Sequence, residues 1–464
     1  MKEIPAALRE ALRNIRRASV TRALFPVHEW VKGHDTVRRR RSLERSQWWS
    51  PQVLEELRIE RLRALLAHAA DNVPYYRDLF RATGFSWDAV RSIDDLRDLP
   101  FCTKEIIRVN GTRLCSDVPG RLQRSNTGGS TGEPMVFYLG AERVSHDVAA
   151  KWRATRWWGV DIGDPEIVLW GSPIELAAQD RVRAIRDRLF NSRLLPAFRM
   201  SDADLSAYAR IVNARRPRML FGYPSALHRL ASFAQGHGVV LSDAGIRVVF
   251  TTGERLYEEQ RRLLGEVFGC PVANGYGGRD AGFIAHECPS GGMHLSAEDI
   301  IVEIIDGTGK SVAPGEAGEI VVTHLATRAY PFIRYRTGDI GTLHDAECPC
   351  GRGLPLLKDI QGRSTDFVVA ADGTVMHGLA LIYVIRELPG VRAFKIIQDT
   401  RNQVRVLIQP INGFAPESRE RIVRGFQERL GPTVEVLVDL TSEIEGEKSG
   451  KFRYVVSHAP EARP

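Results

Sequence analysis

Leu8, Leu12 and Ile15, then Leu24, Val27 and Val31, recur at helical spacing, with an interruption expected at Pro26, which lacks the N–H a helix interior needs. Between residues 51 and 110 a stripe of Leu54, Leu57, Leu62, Leu65 and Leu66 stops at Asn72-Val73-Pro74, and Thr103-Lys104-Glu105 reads as a further helix start. From about 140 to 300 the pattern changes. Apolar runs at 167–170, 219–222 and 248–251 alternate with helical patterns at 142–157, 202–214, 224–237 and 257–267. Such alternation predicts a parallel α/β sheet, with ligands at the carboxyl ends of its strands. Runs at 300–305 and 318–323 predict antiparallel strands joined by a Gly/Pro turn. Beyond Gly362-Arg363 the order is strand, helix, strand, strand, helix, strand, ending near residue 440.

The fold class expected is therefore α/β. A basic helical extension (1–45) precedes a large N-terminal domain (46–362) of parallel-sheet α/β layers with a small β subdomain. A small mobile C-terminal α+β domain (363–464) follows. At 464 residues, two or three domains are expected. With 43% apolar and 26% charged residues, the composition is that of a globular protein. No apolar run approaches a membrane span and no signal peptide is visible, so a cytoplasmic location is expected.

Charge changes this picture at one end only. Residues 1–45 hold twelve Lys/Arg against five Asp/Glu, which accounts for the whole net charge of +7. Such an extension packs on the body as a solvated helix or docks on an anionic surface, a membrane's inner face or an acidic protein. Nucleic acid is not expected, because no nucleic-acid module accompanies the charge.

The candidate chemistry lies in loops. Ser125-Asn126-Thr127-Gly128-Gly129-Ser130-Thr131-Gly132 joins glycines, which let backbone approach a ligand, to hydroxyl donors suited to phosphate. It is no Walker A loop, since no lysine follows the last glycine. Further loops are Thr251-Thr252-Gly253-Glu254, Asn274-Gly275-Tyr276-Gly277-Gly278-Arg279-Asp280, Tyr335-Arg336-Thr337-Gly338-Asp339 and the tail Glu445-Gly446-Glu447-Lys448-Ser449-Gly450-Lys451-Phe452-Arg453. Separately, Cys288 and His294, with Cys348-Pro349-Cys350-Gly351, make a Cys₃His set suited to tetrahedral Zn²⁺. Four ligands would fill the shell of a structural ion. His286 competes as a ligand, and four unconnected side chains are the alternative. Cys102, Cys115 and Cys270 read as small core residues.

In this order, from about residue 60 to 456, the loops resemble those of the adenylate-forming superfamily: acyl- and aryl-CoA ligases, peptide-synthetase adenylation domains and luciferases. The nearest resemblance is to its phenylacetate-CoA ligase-like branch, with capsule-cluster proteins. It includes the lead-in from Leu65-Leu66-Ala67-His68-Ala69 to Asn72-Val73-Pro74-Tyr75-Tyr76-Arg77. The resemblance implies that the loop holding Ser125, Thr127, Gly128, Gly129, Ser130, Thr131 and Gly132 receives the ATP phosphates. Gly253 and Glu254 would lie along the adenine, Tyr276 would flank it, and Gly277 would allow close approach. Asp280, where the family usually has Glu, would be the Mg²⁺ carboxylate. Asp339 would take the ribose hydroxyls, and Arg363 would contact ribose or phosphate at the hinge. The family commonly has Asp two residues after that Arg; here Thr365 stands there. Lys451 would be the catalytic lysine, bridging the anions that meet when a carboxylate attacks phosphorus.

The activity implied is AMP-forming ligation of a carboxylic acid, such as phenylacetate, to coenzyme A. An amine or hydroxyl acceptor in cell-surface polysaccharide biosynthesis is the rival, and an inactive nucleotide-binding assembly protein a reading of another class. Relatives also imply a homodimer. Trp157, Trp158, Trp170, Phe221 and Tyr223 lie where the family builds its acyl pocket, and core packing explains each equally well.

Overall fold

The computed structural model describes residues 6–126, 135–170, 180–197, 200–363, 367–373, 375–386, 388–411, 414–444 and 453–459. Among the described residues, thirteen strands precede residue 364. They are β1 (Leu122–Asn126), β2 (Val136–Gly140), β3 (Glu166–Trp170), β4 (Ser192–Pro196), β5 (Met219–Gly222), β6 (Val248–Thr252) and β7 (Val272–Gly278). Then come β8 (Gly282–Glu287), β9 (Met293–Leu295), β10 (Ile300–Ile305), β11 (Ala317–His324), β12 (Phe332–His344) and β13 (Leu356–Arg363).

Strands β3 to β13 form one eleven-stranded sheet in the order β10-β11-β12-β13-β9-β8-β7-β6-β5-β3-β4. The strands from β4 to β7 are parallel; from β7 to β10 every neighbour is antiparallel. The expected parallel layers and β subdomain are thus hydrogen-bonded into a single sheet. Strand β7 is the switch, parallel to β6 on one edge and antiparallel to β8 on the other.

Every residue of β6 is buried, because helices cover both faces. Val249 packs toward the helices Asp202–Arg215, Pro224–Gly236 and Glu258–Phe268, while Val248 and Phe250 share a cluster with Ala154 of the helix Ala141–Trp157. The antiparallel half is covered by the lead-in helix Pro51–Asn72, which buries Leu54, Leu62, Leu65, Leu66 and Ala69. Ser50 starts that helix by accepting from the Val53 N–H. Thr103 does the same for Lys104–Asn110.

One expectation changes. The first helix does not stop at Pro26: Ala6–Ser19 and Phe25–Val31 are joined by a π turn, Val20–Leu24, and the Phe25 N–H reaches back to Val20 O. A π turn before a proline accommodates the missing N–H without breaking the helix. The Arg38–Arg41 run is largely consumed internally. Arg38 and Arg39 pair with Asp35, and Arg40 pairs with Glu44 while lying over the Trp152 ring.

The large sheet ends at Arg363. The next described strand, Phe367–Val369, buries Val368 in a separate core with Ile382, Ile396, Val406, Ile422 and Phe426. There a four-stranded sheet in the order Glu435–Leu440, Gln403–Pro410, Val391–Thr400, Val455–Ser457 carries the helices Leu379–Arg386 and Pro416–Leu430. The last of these strands brings the chain's tail back into the sheet.

Candidate active site

The turn between β7 and β8 lies beside the carboxyl end of the parallel strands, where sheet direction switches. Its glycines serve the strands first: a Cβ on Gly277 would fall 2.1 Å from the Gly282 carbonyl oxygen. Tyr276, beside Gly277, donates its hydroxyl to Asp339 Oδ2 at 2.9 Å. Burial, and then the Asp339 carboxylate, raise the Tyr276 pKa well above the usual tyrosine value, so the phenol stays a donor. Asp339 reaches this point from β12, after a bend at Gly338 (φ +79°), and stands opposite Arg363 of β13 in register.

Asp280 is held in the same way. Its Oδ2 accepts from Tyr335 Oη at 2.7 Å and its Oδ1 from the Ala281 N–H at 3.1 Å. Both carboxylates border one cavity of about 700 Å³, together with Ser125, the Thr252-Gly253-Glu254 turn, and Arg453, Tyr454 and Val455 of the C-terminal unit. Glu254 Oε2 accepts from the Ser225 N–H in the first turn of Pro224–Gly236, which fixes the turn against the positive end of that helix. Tyr454 packs edge-on against Tyr257, ring centroids 5.9 Å apart, so the tail is in contact with the large domain. Thr127, Gly128, Gly129, Ser130, Thr131, Gly132 and Lys451 lie outside the described residues.

The five aromatic residues considered for an acyl pocket separate. Trp170 and Tyr223 stack at 4.2 Å and line the cavity. Trp157 instead packs edge-on against His294, Trp158 donates to Glu287 O, and Phe221 is buried in the core.

Two residues escape sequence reading. Arg143 is buried in the helix Ala141–Trp157, and its guanidinium donates to the main-chain oxygens of Asp280 at 3.1 Å and Arg279 at 3.4 Å. Its Nε donates to both oxygens of Asp147, at 3.0 and 3.1 Å. Burial opposes ionisation of Asp147, yet the Arg143 guanidinium holds its carboxyl well below the usual carboxylate range. The i, i+4 spacing of Arg143 and Asp147 was a weak available signal for the pair. Nothing local announces the contact with residues 279 and 280. His146, Asp147 and His324 also lie within ligand distance of one another. His324 Nδ1 accepts from the Ala326 N–H at 3.2 Å, which puts the proton of the neutral ring on Nε2, facing Asp147. Arg143 is the ionic partner of that carboxylate, and the two imidazoles pack around the pair.

The Cys/His set does come together. The ligand atoms of Cys288, His294, Cys348 and Cys350 lie within 4.8 Å of one another, with Sγ–Sγ of 3.6 Å between Cys288 and Cys348 and Nε2–Sγ of 3.2 Å between His294 and Cys350. Zinc–sulfur bonds of about 2.3 Å give a tetrahedral edge of roughly 3.7 Å, so the spacing fits. Two matching turns build the site. In Cys288-Pro289-Ser290-Gly291 and Cys348-Pro349-Cys350-Gly351 the glycine has φ of +84° and +78°, and its N–H returns to the cysteine carbonyl. His294 Nδ1 faces Leu354 O at 3.3 Å, a donor contact that leaves Nε2 free to ligate. His286 is not among them: it stacks on Phe283, and desolvation lowers its pKa to about 3.

Comparison with known proteins agrees with this geometry. Residues 127–327 match the AMP-binding enzyme family and residues 368–458 match the CapK C-terminal domain. The chain is 23% identical to Protein CapK of Staphylococcus aureus over 410 residues, 87% of this chain and 89% of that one. It is 28% identical to phenylacetate-coenzyme A ligase of Pseudomonas putida over 329 residues, 69% of this chain and 73% of that one. The crystal structure of a 2-hydroxyisobutyryl-CoA ligase in its postadenylation state superposes with a TM-score of 0.71 at 20% identity, covering 89% of this chain and 91% of that one. Residues 127–327 are thus similar to an AMP-binding enzyme, and the chain has the fold of the adenylate-forming ligases. Over more than two thirds of its length the chain is similar both to CapK and to a phenylacetate-CoA ligase.

Proposed function

We propose that the chain is an AMP-forming ligase that activates a carboxylic acid with ATP and passes the acyl group to coenzyme A. The observation that carries this reading is convergence. The Tyr276–Asp339 pair, the Tyr335–Asp280 pair and the tail residues Arg453, Tyr454 and Val455 border one cavity. Its size suits a nucleotide with a small acid.

In the first step an acid oxygen bonds to the α-phosphorus of ATP, the bond to the β-phosphate oxygen breaks, and pyrophosphate leaves. In the second, the coenzyme A thiolate bonds to the acyl carbon and AMP leaves with the electron pair. Asp339, held by Tyr276, would accept from the ribose hydroxyls. Asp280 would hold Mg²⁺, which supplies charge neutralisation at the departing pyrophosphate. Lys451, two residues before Arg453, would stabilise the charge that develops as two anions meet. The stacked Trp170–Tyr223 faces favour a flat, aryl acid. The Cys₃His set would hold a structural Zn²⁺, clipping the loop after β8 to the loop before β13.

Transfer to an amine or hydroxyl in polysaccharide biosynthesis is the second reading, kept because the loops also resemble those of capsule-cluster proteins. ATP and coenzyme A are cytoplasmic substrates, and the basic extension would hold the enzyme at the membrane's inner face. Pyrophosphate release across a panel of carboxylic acids tests adenylation. Lys451→Ala should abolish it with an unchanged circular dichroism spectrum, and unaltered release would remove that assignment. Consumption of coenzyme A separates the two acceptors.

A further inference from the structure

The first helix wears its apolar face outward. Its contacts with the body are mainly polar: Arg13 donates to Arg216 O, Arg16 to Arg188 O, Thr21 to Ile162 O, and Glu10 pairs with Arg218. Among its described side chains Val20, Phe25 and Glu29 are buried, the two apolar ones against Trp152. Leu8, Leu12, Ile15, Leu24, Val27, Trp30 and Val31 are 43% to 79% exposed. A helix resting on a globular core normally turns the other way.

The π turn makes these residues one surface. Ser19, Leu24 and Phe25 keep right-handed helical dihedrals, so Ala6 to Val31 is continuous, about 39 Å long at 1.5 Å per residue. In an unbroken α-helix, at about 100° per residue, Leu24, Val27 and Val31 would point well away from Leu8, Leu12 and Ile15. The extra residue of a π turn sets the following segment back by about 100°. All six then fall within a sector of about 80°, with Trp30 at its edge. Ile185 and Leu189, on the helix Asp180–Leu189, extend the surface, meeting Val20 and Leu24 across a shallow groove. Arg16, Arg22, Lys32 and Arg188 are exposed around it.

We infer that this π-rephased stripe is a docking surface for an anionic lipid bilayer, lying in the headgroup plane with its aliphatic residues inserted and its cations on the phosphates. Charge selects the occupant. A second copy would press two like-charged extensions together, since the whole +7 resides in residues 1–45. A continuous cationic helix with a tryptophan at its margin suits a bilayer interface, which demands no shape complement. The inference gives the membrane placement proposed above its contact surface. It is read without turnover, so its failure and that of the ligase reading are distinguishable.

The test is sedimentation of the full chain with vesicles of 70% phosphatidylcholine and 30% phosphatidylglycerol, and with pure phosphatidylcholine. Binding should need the anionic lipid and weaken in 0.5 M salt. Leu12→Glu/Val27→Glu should lower affinity at least tenfold, and so should Leu8→Ser/Ile15→Ser. Arg22→Gln/Lys32→Gln should lower it about tenfold on anionic vesicles alone. The thermal unfolding midpoint should not move, because every altered side chain is exposed. Equal pelleting of wild type and stripe variants, or no pelleting of wild type, overturns the inference. A wild-type dimer that the stripe variants dissociate, without a change in pelleting, also overturns it and assigns the surface to a second copy.

Discussion

Arg143 and Asp280 are 137 residues apart in sequence and joined at 3.1 Å, guanidinium to main-chain oxygen. The bond anchors the backbone of the candidate magnesium carboxylate to a buried helix. Asp147 balances the charge, and Gly282 leaves the room: a Cβ there would meet Arg143 Nη2 and His324 Nε2 at 2.9 Å. Asp280 is thus positioned from two sides, by Tyr335 at its side chain and by Arg143 at its main chain.

Arg143→Met leaves the partly buried Asp147 carboxylate at the cavity wall without its counter-ion. It should destabilise the large domain by about 3–5 kcal/mol, and Arg143→Met/Asp147→Leu should regain part of that loss. Neither variant should recover pyrophosphate release, because residues 279 and 280 lose their anchor in both. Urea unfolding and a magnesium titration of the reaction read the two effects apart. A double variant restored in activity would deny Arg143 its positioning role.

Tyr276→Phe removes one donor from Asp339. A hydrogen bond to a charged group is worth about 1.5–3 kcal/mol, so kcat/KM for ATP should fall roughly 10- to 100-fold. Steady-state kinetics with saturating acid would show it. An effect under twofold would mean that Asp339 needs no help to hold its rotamer.

Purified, unchelated protein should contain about one zinc per chain by elemental analysis. Cys350→Ser should lower both zinc content and thermal midpoint, whereas Cys270→Ser should leave zinc unchanged. Zinc below about 0.2 equivalents in wild type would dismiss the site.

Acid should weaken the fold in part through His324. Burial, then the Arg143 charge, lower its pKa to about 3, and Asp147 only partly opposes them. An unfolded histidine titrates near 6.5, so the unfolded chain takes up the proton first. The stabilising contribution is complete above about pH 6.5 and shrinks as pH falls toward 3, by up to about 1.4 kcal/mol per pH unit. His324→Asn keeps an acceptor for the Ala326 N–H and removes the titration. Its urea midpoint should fall less steeply than that of wild type between pH 6.5 and 5; parallel curves would disprove the assignment.

Much of this molecule is local, and the sequence alone determined it. Capping residues such as Ser50 and Thr103, the alternation of strand and helix and the matched Cys-Pro-x-Gly turns depend on near neighbours along the chain, so spacing and residue type suffice to read them. Tertiary structure decided what distant segments do to one another. It joined the parallel and antiparallel strands at β7, separated Trp170 from Trp157, brought Arg143 to Asp280 and removed His286 from the thiols. It also turned the first helix apolar side out. An amphipathic pattern states that two faces differ, but which face meets the body depends on the carbonyls and carboxylates waiting there.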